Sequence, residues 1–272
     1  MQVHGLAVPD LMYGTAWKED RTARLTTEAL AAGFRAIDTA NQRKHYVEVA
    51  VGDAVAASGI PRAELFLQTK FTHLDGQDHR LPYDAAAPVA EQVAQSFASS
   101  LEHLRTSYVD SYILHGPAGR GVLTDEDWQV WQAMVKLQQA GQTRLIGVSN
   151  VSPPQLEALC TVADKPAFVQ NRCYARSGWD RQTRALCRQH GIVYQGFSLL
   201  TANRNELSQP AITRLVAKTG RSLPEVVFAF ARQLGLLPLT GTSNQDHMRV
   251  DLSSVDLTLS PSDLTTLESI GG

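Results

Sequence analysis

The stretch VDSYILHGPAGRGVLTDEDWQVWQAMVKLQQAGQTRLIGVSN, residues 109–150, decides the fold. It opens with a short, nearly unbroken apolar run, Val109–Leu114, and closes with another, Arg144–Val148. Such runs read as parallel strands covered on both faces. Between them Thr124 precedes Asp125-Glu126-Asp127, a cap with acids in the first helical turn. Trp128, Trp131 and Val135 then step by 3 and 4 and lay one stripe along a helix. The segment is one strand–helix–strand unit.

Outward from it the unit recurs. Six more runs read as strands: Leu11–Thr15, Phe34–Ile37, Leu65–Thr69, Ala167–Gln170, Ile192–Gly196 and Leu236–Thr240. Helical stripes lie at Val93, Phe97, Leu101 and Leu104, and at Leu223, Val227, Phe230 and Leu234. Ser152 before Pro153 marks another helix start. Eight such units in 272 residues predict a single (β/α)8 TIM barrel domain spanning 1–272. The runner-up is an open doubly wound sheet, which usually carries G-x-G-x-x-G after its first strand. Here that strand ends in Gly14-Thr15-Ala16-Trp17 instead. Residues 2–9 are expected to form a short N-terminal hairpin, and Ser262–Ile270 an extra C-terminal helix. Residues 71–88 read as a long polar loop, and Gly116–Gly121 as a mobile one.

The charge balance, 25 Lys+Arg against 27 Asp+Glu, argues against nucleic-acid and polybasic membrane binding. No apolar stretch approaches the roughly 20 residues of a membrane span. The first residues lack a secretory pattern. Three cysteines, Cys160, Cys173 and Cys187, make a disulfide framework improbable, so a reducing cytoplasm is expected. The default oligomeric state is a monomer.

A barrel places its chemistry at the C-terminal ends of its strands. Those ends carry Gly14-Thr15, Asp38, Lys70, His115, Ser149-Asn150, Gln170-Asn171, Phe197-Ser198 and Gly241-Thr242-Ser243. Three consecutive strands thus end in Asp, Lys and His. Asp38 paired with Lys70 keeps a buried lysine charged. A charged lysine beside a tyrosine is expected to lower the phenol's pKa from about 10. Tyr46, eight residues after Asp38, reaches the same mouth. His115 is placed to hydrogen-bond a substrate oxygen.

These residues resemble a known family. Gly33-Phe-Arg-Ala-Ile-Asp38-Thr-Ala40, then Tyr46 and Glu48-x-x-Val-Gly52, are similar to the first signature of the aldo-keto reductases. Thr69-Lys70, Leu114-His115, Gly147-Val-Ser-Asn150, Val169-Gln-Asn171 and Gly196-Phe-Ser198 follow in the family's order, so the resemblance covers about the whole chain. It implies an oxidoreductase that reduces a small aldehyde or ketone by hydride transfer from NADPH, with NADH as the alternative cofactor. It implies Tyr46 as proton donor, Lys70 and Asp38 tuning it, and His115 orienting the carbonyl. Trp17, Tyr46 and His115 would bind substrate. Ser149, Asn150 and Gln170 would hold the nicotinamide carboxamide, and Phe197 would stack on its ring where tyrosine is common. Gly14, Thr15, Ala16, Asp38, Ser198 and Leu200 would complete the near part of the cofactor site. Gly241, Thr242, Ser243, Asn244, His247 and Asp251 would complete the far part.

Two departures stand out. Asn41-Gln-Arg-Lys-His45 lengthens the usual Asp-to-Tyr spacing. The family's lysine and arginine for the 2′-phosphate of NADPH fall on Gly241 and His247, with Arg249 close by. The blander readings are specific too. Tyr46 could be a packed loop residue, and Trp17 could pack at the rim. Ser149-Asn150 could cap a helix. His73, Asp75, Asp78 and His79 carry metal-type groups, but without metal-ligand spacing they read as a polar surface loop. Trp128 and Trp131 read as helix–barrel packing, and the cysteines as buried thiols. Two rival functions remain: a cofactor-binding regulatory or vestigial subunit on the same barrel, and a lyase or isomerase using a Lys70 Schiff base.

Overall fold

A computed structural model of the chain describes residues 1–271. Eight parallel strands close into a barrel: β3 (Met12–Gly14), β4 (Ala36–Asp38), β5 (Phe66–Phe71), β6 (Val109–Leu114), β7 (Thr143–Ser149), β8 (Phe168–Arg172), β9 (Val193–Phe197) and β10 (Leu237–Thr240). Each pairs with the next, and β10 pairs with β3 to close the ring. Around it run α1 (Thr22–Ala32), α2 (Glu48–Ala57), α3 (Val89–Leu104), α4 (Asp125–Gln139), α5 (Pro153–Leu159) and α6 (Arg181–His190). The short α7 (Arg204–Leu207), then α8 (Pro210–Thr219) and α9 (Leu223–Gln233), precede β10; α10 (Gln245–Ser253) and α11 (Pro261–Glu268) follow it. The sequence reading contained neither α8 nor α10.

The strands are apolar on both faces because each face has its own core. Outward residues such as Tyr13, Ile37, Leu67, Ile146 and Val169 pack with the helices. Their neighbours, Met12, Ala36, Phe66, Leu145 and Phe168, fill the barrel interior. This is the two-residue period of a strand, read on both sides. Gly147 lies where no side chain fits: a Cβ there would come within 2.5 Å of Ile113 Cδ1 and 2.6 Å of the Phe168 carbonyl oxygen.

The N-terminal hairpin joins β1 (Gln2–Val3) to β2 (Leu6–Ala7). Its two-residue turn, His4 and Gly5, has φ of 47° and 81°, the left-handed pair a tight hairpin needs. Val3 and Val8 join the interior cluster and close the bottom of the barrel. Helices start at Thr124 and Ser152 as the sequence signals, and at Ser222 and Ser260, which the sequence reading did not single out. Thr124, Ser152, Ser222 and Ser260 each form a capping box with the residue three positions on.

Residues 71–88 differ from a polar surface loop. Tyr83 is buried and stacks on Phe71 at 5.6 Å between centroids. His73 is buried as well, its ring nitrogens 2.9 Å from Glu126 and 3.0 Å from Asp127. The segment buries polar residues because α4 supplies them with charged partners. Its partners form no metal cluster; among the described residues no group of three such side chains is placed to hold an ion. The glycine-rich loop is tied to the same carboxylate, since the Ala118 amide donates to Asp127 at 2.7 Å. Trp131 is buried and donates its indole N–H to the Asp164 carbonyl at 3.0 Å. The three cysteines are free and buried, and burial pushes the thiols of Cys173 and Cys187 up to about 12. Among the described residues no helix is long and apolar enough to cross a membrane.

Candidate active site

At the C-terminal ends of the strands lies a cavity of about 630 Å³. β4 and β5 end side by side, with Asp38 aligned to Gln68 in the register. Two residues on, Lys70 points to the same interior and finds Asp38. Its ammonium lies 2.7 Å from each Asp38 oxygen and 2.8 Å from the Thr39 carbonyl. Those three acceptors use all three of its hydrogens. Burial pulls the Lys70 pKa down and Asp38 opposes that pull. Asp38 Oδ1 also accepts from Gln68 at 2.7 Å and Gln170 at 3.0 Å. Gln195 joins Gln68 and Gln170 into a buried polar layer beneath the cavity.

Tyr46 lies above this layer, where the β4–α2 loop turns back over the mouth. The Lys70 ammonium is 5.3 Å from the Tyr46 ring centroid, and the His115 ring meets the phenol ring edge-on at 5.8 Å. The expected lowering of the phenol's pKa is reversed here. Burial, then the Asp38 charge, push Tyr46 above its ordinary value. Lys70 does not counter them because its charge is matched by Asp38 and its hydrogens are committed elsewhere. The phenol therefore stays protonated through neutral pH. His115 moves the other way: burial first, then Lys70 and His45, pull it down to about 3, which leaves a neutral ring.

The remaining expected residues divide into two groups. Trp17 lines the cavity, is 64% exposed and stacks on His45 at 3.6 Å between centroids. Gly14, Ala16, Ser149, Asn150 and Gln170 line it too, as do Phe197, Ser198 and Leu200. Asn150 and Ser198 turn there with φ of 51° and 58°. Asn150 does not cap a helix; it donates to the His115 carbonyl at 2.8 Å, and Ser152 is the cap of α5. Gly241, Thr242, His247 and Asp251 form the far wall. Burial raises Asp251 to about 6, partly offset by the Thr240 hydroxyl. Outside the cavity wall are Thr15, Lys70, Ser243 and Asn244. Thr15 donates to the Asp38 carbonyl at 2.9 Å, and Asn244 caps α10 by accepting from the Asp246 and His247 amides.

Some wall residues had escaped the sequence reading. Gln42 and His45 line the cavity, and Gln42 Oε1 and His45 Nδ1 are buried without a protein partner. Arg172 lines it with its guanidinium 5.5 Å from the Phe197 ring centroid. Gln68 and Gln195 were accessible to a period-two argument, since each lies two residues before a recognised site residue on its strand.

The sequence model described as the aldo/keto reductase family matches residues 10–271. An aldo-keto reductase of Mycolicibacterium vanbaalenii is 31% identical over 99% of this chain and 88% of its own length. Methylglyoxal reductase DkgB of Escherichia coli O157:H7 is 28% identical over 97% of this chain and 94% of its own. Among solved structures, the Bombyx mori aldo-keto reductase in complex with NADP shares the fold with a TM-score of 0.82. It is 22% identical and covers 99% of this chain and 92% of that one. Since the family match spans nearly every residue of the barrel, the chain belongs to the aldo/keto reductase family of NAD(P)H-dependent oxidoreductases.

Proposed function

We propose that the protein reduces an aldehyde or ketone to an alcohol, with Tyr46 as proton donor and NADPH as cofactor, NADH being the alternative. The observation that carries the reading is the convergence of a protonated phenol, a neutral imidazole and a saturated Asp38–Lys70 pair at one cavity mouth. The methylglyoxal reductase and the NADP-bound relative support the substrate class and the cofactor.

The cavity's chemistry suits a nicotinamide nucleotide. Phe197 offers an aromatic face, and the polar side chains of Ser149, Asn150 and Gln170 share its wall. Arg172, in the wall beside Phe197, supplies a cation for phosphate oxygens. Gly241 and His247 carry no fixed charge themselves, but the Lys18 ammonium donates to the Gly241 carbonyl beside that wall and puts a cation within reach of a 2′-phosphate. Bound there, the reduced nicotinamide supplies the hydride.

This chain's own residues do the rest. His115, neutral, hydrogen-bonds the carbonyl oxygen and orients it. Tyr46 donates its phenolic proton to that oxygen as negative charge builds there. The Asp38–Lys70 pair fixes the position of a cation near the phenolate left behind. Trp17 and His45, stacked together, wall the substrate side. Lys70 as a Schiff-base nucleophile is disfavoured, because its hydrogens are fully bonded and its charge is paired.

Tyr46→Phe tests the reading. Carbonyl-dependent NADPH oxidation should fall by about 10²-fold or more, while NADPH still quenches intrinsic fluorescence with wild-type affinity. Near-normal turnover would remove Tyr46 from the chemistry.

A further inference from the structure

Thr72 lies two residues beyond Lys70, just past the end of β5, and its hydroxyl Oγ1 is 2.7 Å from His115 Nδ1. The residue is 6% exposed. Its rotamer is held from the other side. Thr72 Cγ2 is packed so closely on Gly76 that a Cβ there would come within 2.6 Å of it. The Thr72 carbonyl is held too, accepting from the Tyr83 hydroxyl at 2.9 Å and from Gln77 at 3.4 Å. With the methyl facing Gly76, the hydroxyl is left to the imidazole.

Counting hydrogens then sets the direction of the bond. A neutral imidazole carries one N–H, on either nitrogen. Among the described residues the Thr72 hydroxyl has no partner except Nδ1. If Nδ1 carried the hydrogen, Thr72 would accept it and its own buried O–H would have no acceptor. If Thr72 donates, only a lone pair goes unused. A buried donor without a partner is the costlier omission. His115 Nε2 makes no hydrogen bond to the protein among the described residues, and the ring lines the cavity.

We infer that Thr72 is a positioning residue: it donates its hydroxyl hydrogen to His115 Nδ1 and so places the ring's single N–H on Nε2, toward the substrate oxygen. The inference rests on the proposed role of His115 in carbonyl reduction. With the opposite tautomer the Nε2 lone pair would face the lone pairs of the carbonyl, and the oxygen would be repelled rather than held. Burial, Lys70 and His45 keep the ring neutral near pH 7, so a doubly protonated ring does not mask the choice.

The test uses ¹⁵N-histidine-labelled full-length protein without cofactor, with His115 assigned by its loss in His115→Asn. At about pH 7, nitrogen shifts and two-bond couplings separate an Nε2–H ring from an Nδ1–H ring. The wild type should show Nε2–H. Thr72→Val, which keeps the shape and removes the hydroxyl, leaves the Nδ1 lone pair without its donor and should move the Nδ1 shift toward that of an unbonded pyridine-type nitrogen. It should also lower kcat/KM for a small aldehyde about ten- to hundredfold with NADPH affinity unchanged. Thr72→Ser should restore both signals. An Nδ1–H ring in the wild type, or a Thr72→Val protein with the wild-type Nδ1 shift and turnover, overturns the inference. A Thr72→Val protein that loses activity and thermal stability together while keeping the wild-type Nδ1 shift also overturns it, since that is only a packing effect. A wild type with Nε2–H that turns over no carbonyl supports the Thr72 contact and instead overturns the proposed function.

Discussion

Lys70 is fully buried and ion-paired with Asp38 beneath Tyr46. Removing one partner strands the other's charge in a dry interior. Lys70→Met should therefore destabilise the protein by about 3–5 kcal/mol, read by urea denaturation. Lys70→Met combined with Asp38→Leu should recover much of that loss, because the pair is then replaced by apolar volume. Activity should stay low in both, since the charge arrangement under Tyr46 is gone in both. A double variant as unstable as the single one would mean that the polar layer of Gln68, Gln170 and Gln195 depends on Asp38 more than Lys70 does. Asp38, Lys70 and His115 were legible in the sequence because they stand at or just past strand ends. Thr72, Gln42 and His45 were not, because a loop residue's direction is fixed by contacts across space.

At the scale of elements, β5 and α4 are joined by a contact that a surface-loop reading concealed. Asp127 closes the capping box of α4 and accepts from the Ala118 amide at 2.7 Å and from His73 Nε2 at 3.0 Å. It thus holds the helix start, the loop after β6 and the loop after β5 together. Burial pulls His73 down, but Asp127 and Glu126 outweigh it and raise the pKa above 6.5. Burial would raise Asp127, yet its hydrogen bonds to His73, Thr124 and Ala118 hold it well below the usual carboxylate range. The signs follow directly. The raised His73 pKa contributes stability that is fully present below its ordinary value and lost as pH rises through the folded-state value. The lowered Asp127 pKa contributes stability present above its ordinary value and lost as pH falls toward the folded-state one. Wild-type Tm should therefore fall more steeply than that of His73→Gln between about pH 6 and pH 9, measured by calorimetry. Parallel slopes would show that His73 is not the titrating group. The chain order of His73, Glu126 and Asp127 gives no sign of this contact, since 53 positions separate His73 from Glu126.

For the molecule as a whole, the legible part is the part dictated by two cores. Eight strands could be placed to within about two residues because each must be apolar on both faces. The ends shifted where a polar residue continues the ladder, as Lys70 does in β5 and Arg172 in β8. Helices α8 and α10 were missed for a related reason: α10 buries only Met248 and Asp251, too few to draw a stripe. The hairpin was visible as a short run before the first barrel strand, but its use was not. Val3 is 3% exposed and packs, with Val8, in the cluster that holds Phe66, Leu145 and Phe168 at the foot of the barrel. The groups proposed for catalysis sit at the opposite ends of the strands. Val3→Asp forces an unpaired carboxylate into that apolar plug, which should cost about 2–4 kcal/mol of stability. At a temperature where the variant remains folded, kcat for carbonyl reduction should match the wild type, because the cluster that takes up Val3 includes none of Asp38, Tyr46, Lys70 or His115. Thermal unfolding and steady-state assays on the same preparation separate the two effects. A variant whose Tm is unchanged would mean that the hairpin is an appendage and that the lower core closes without it.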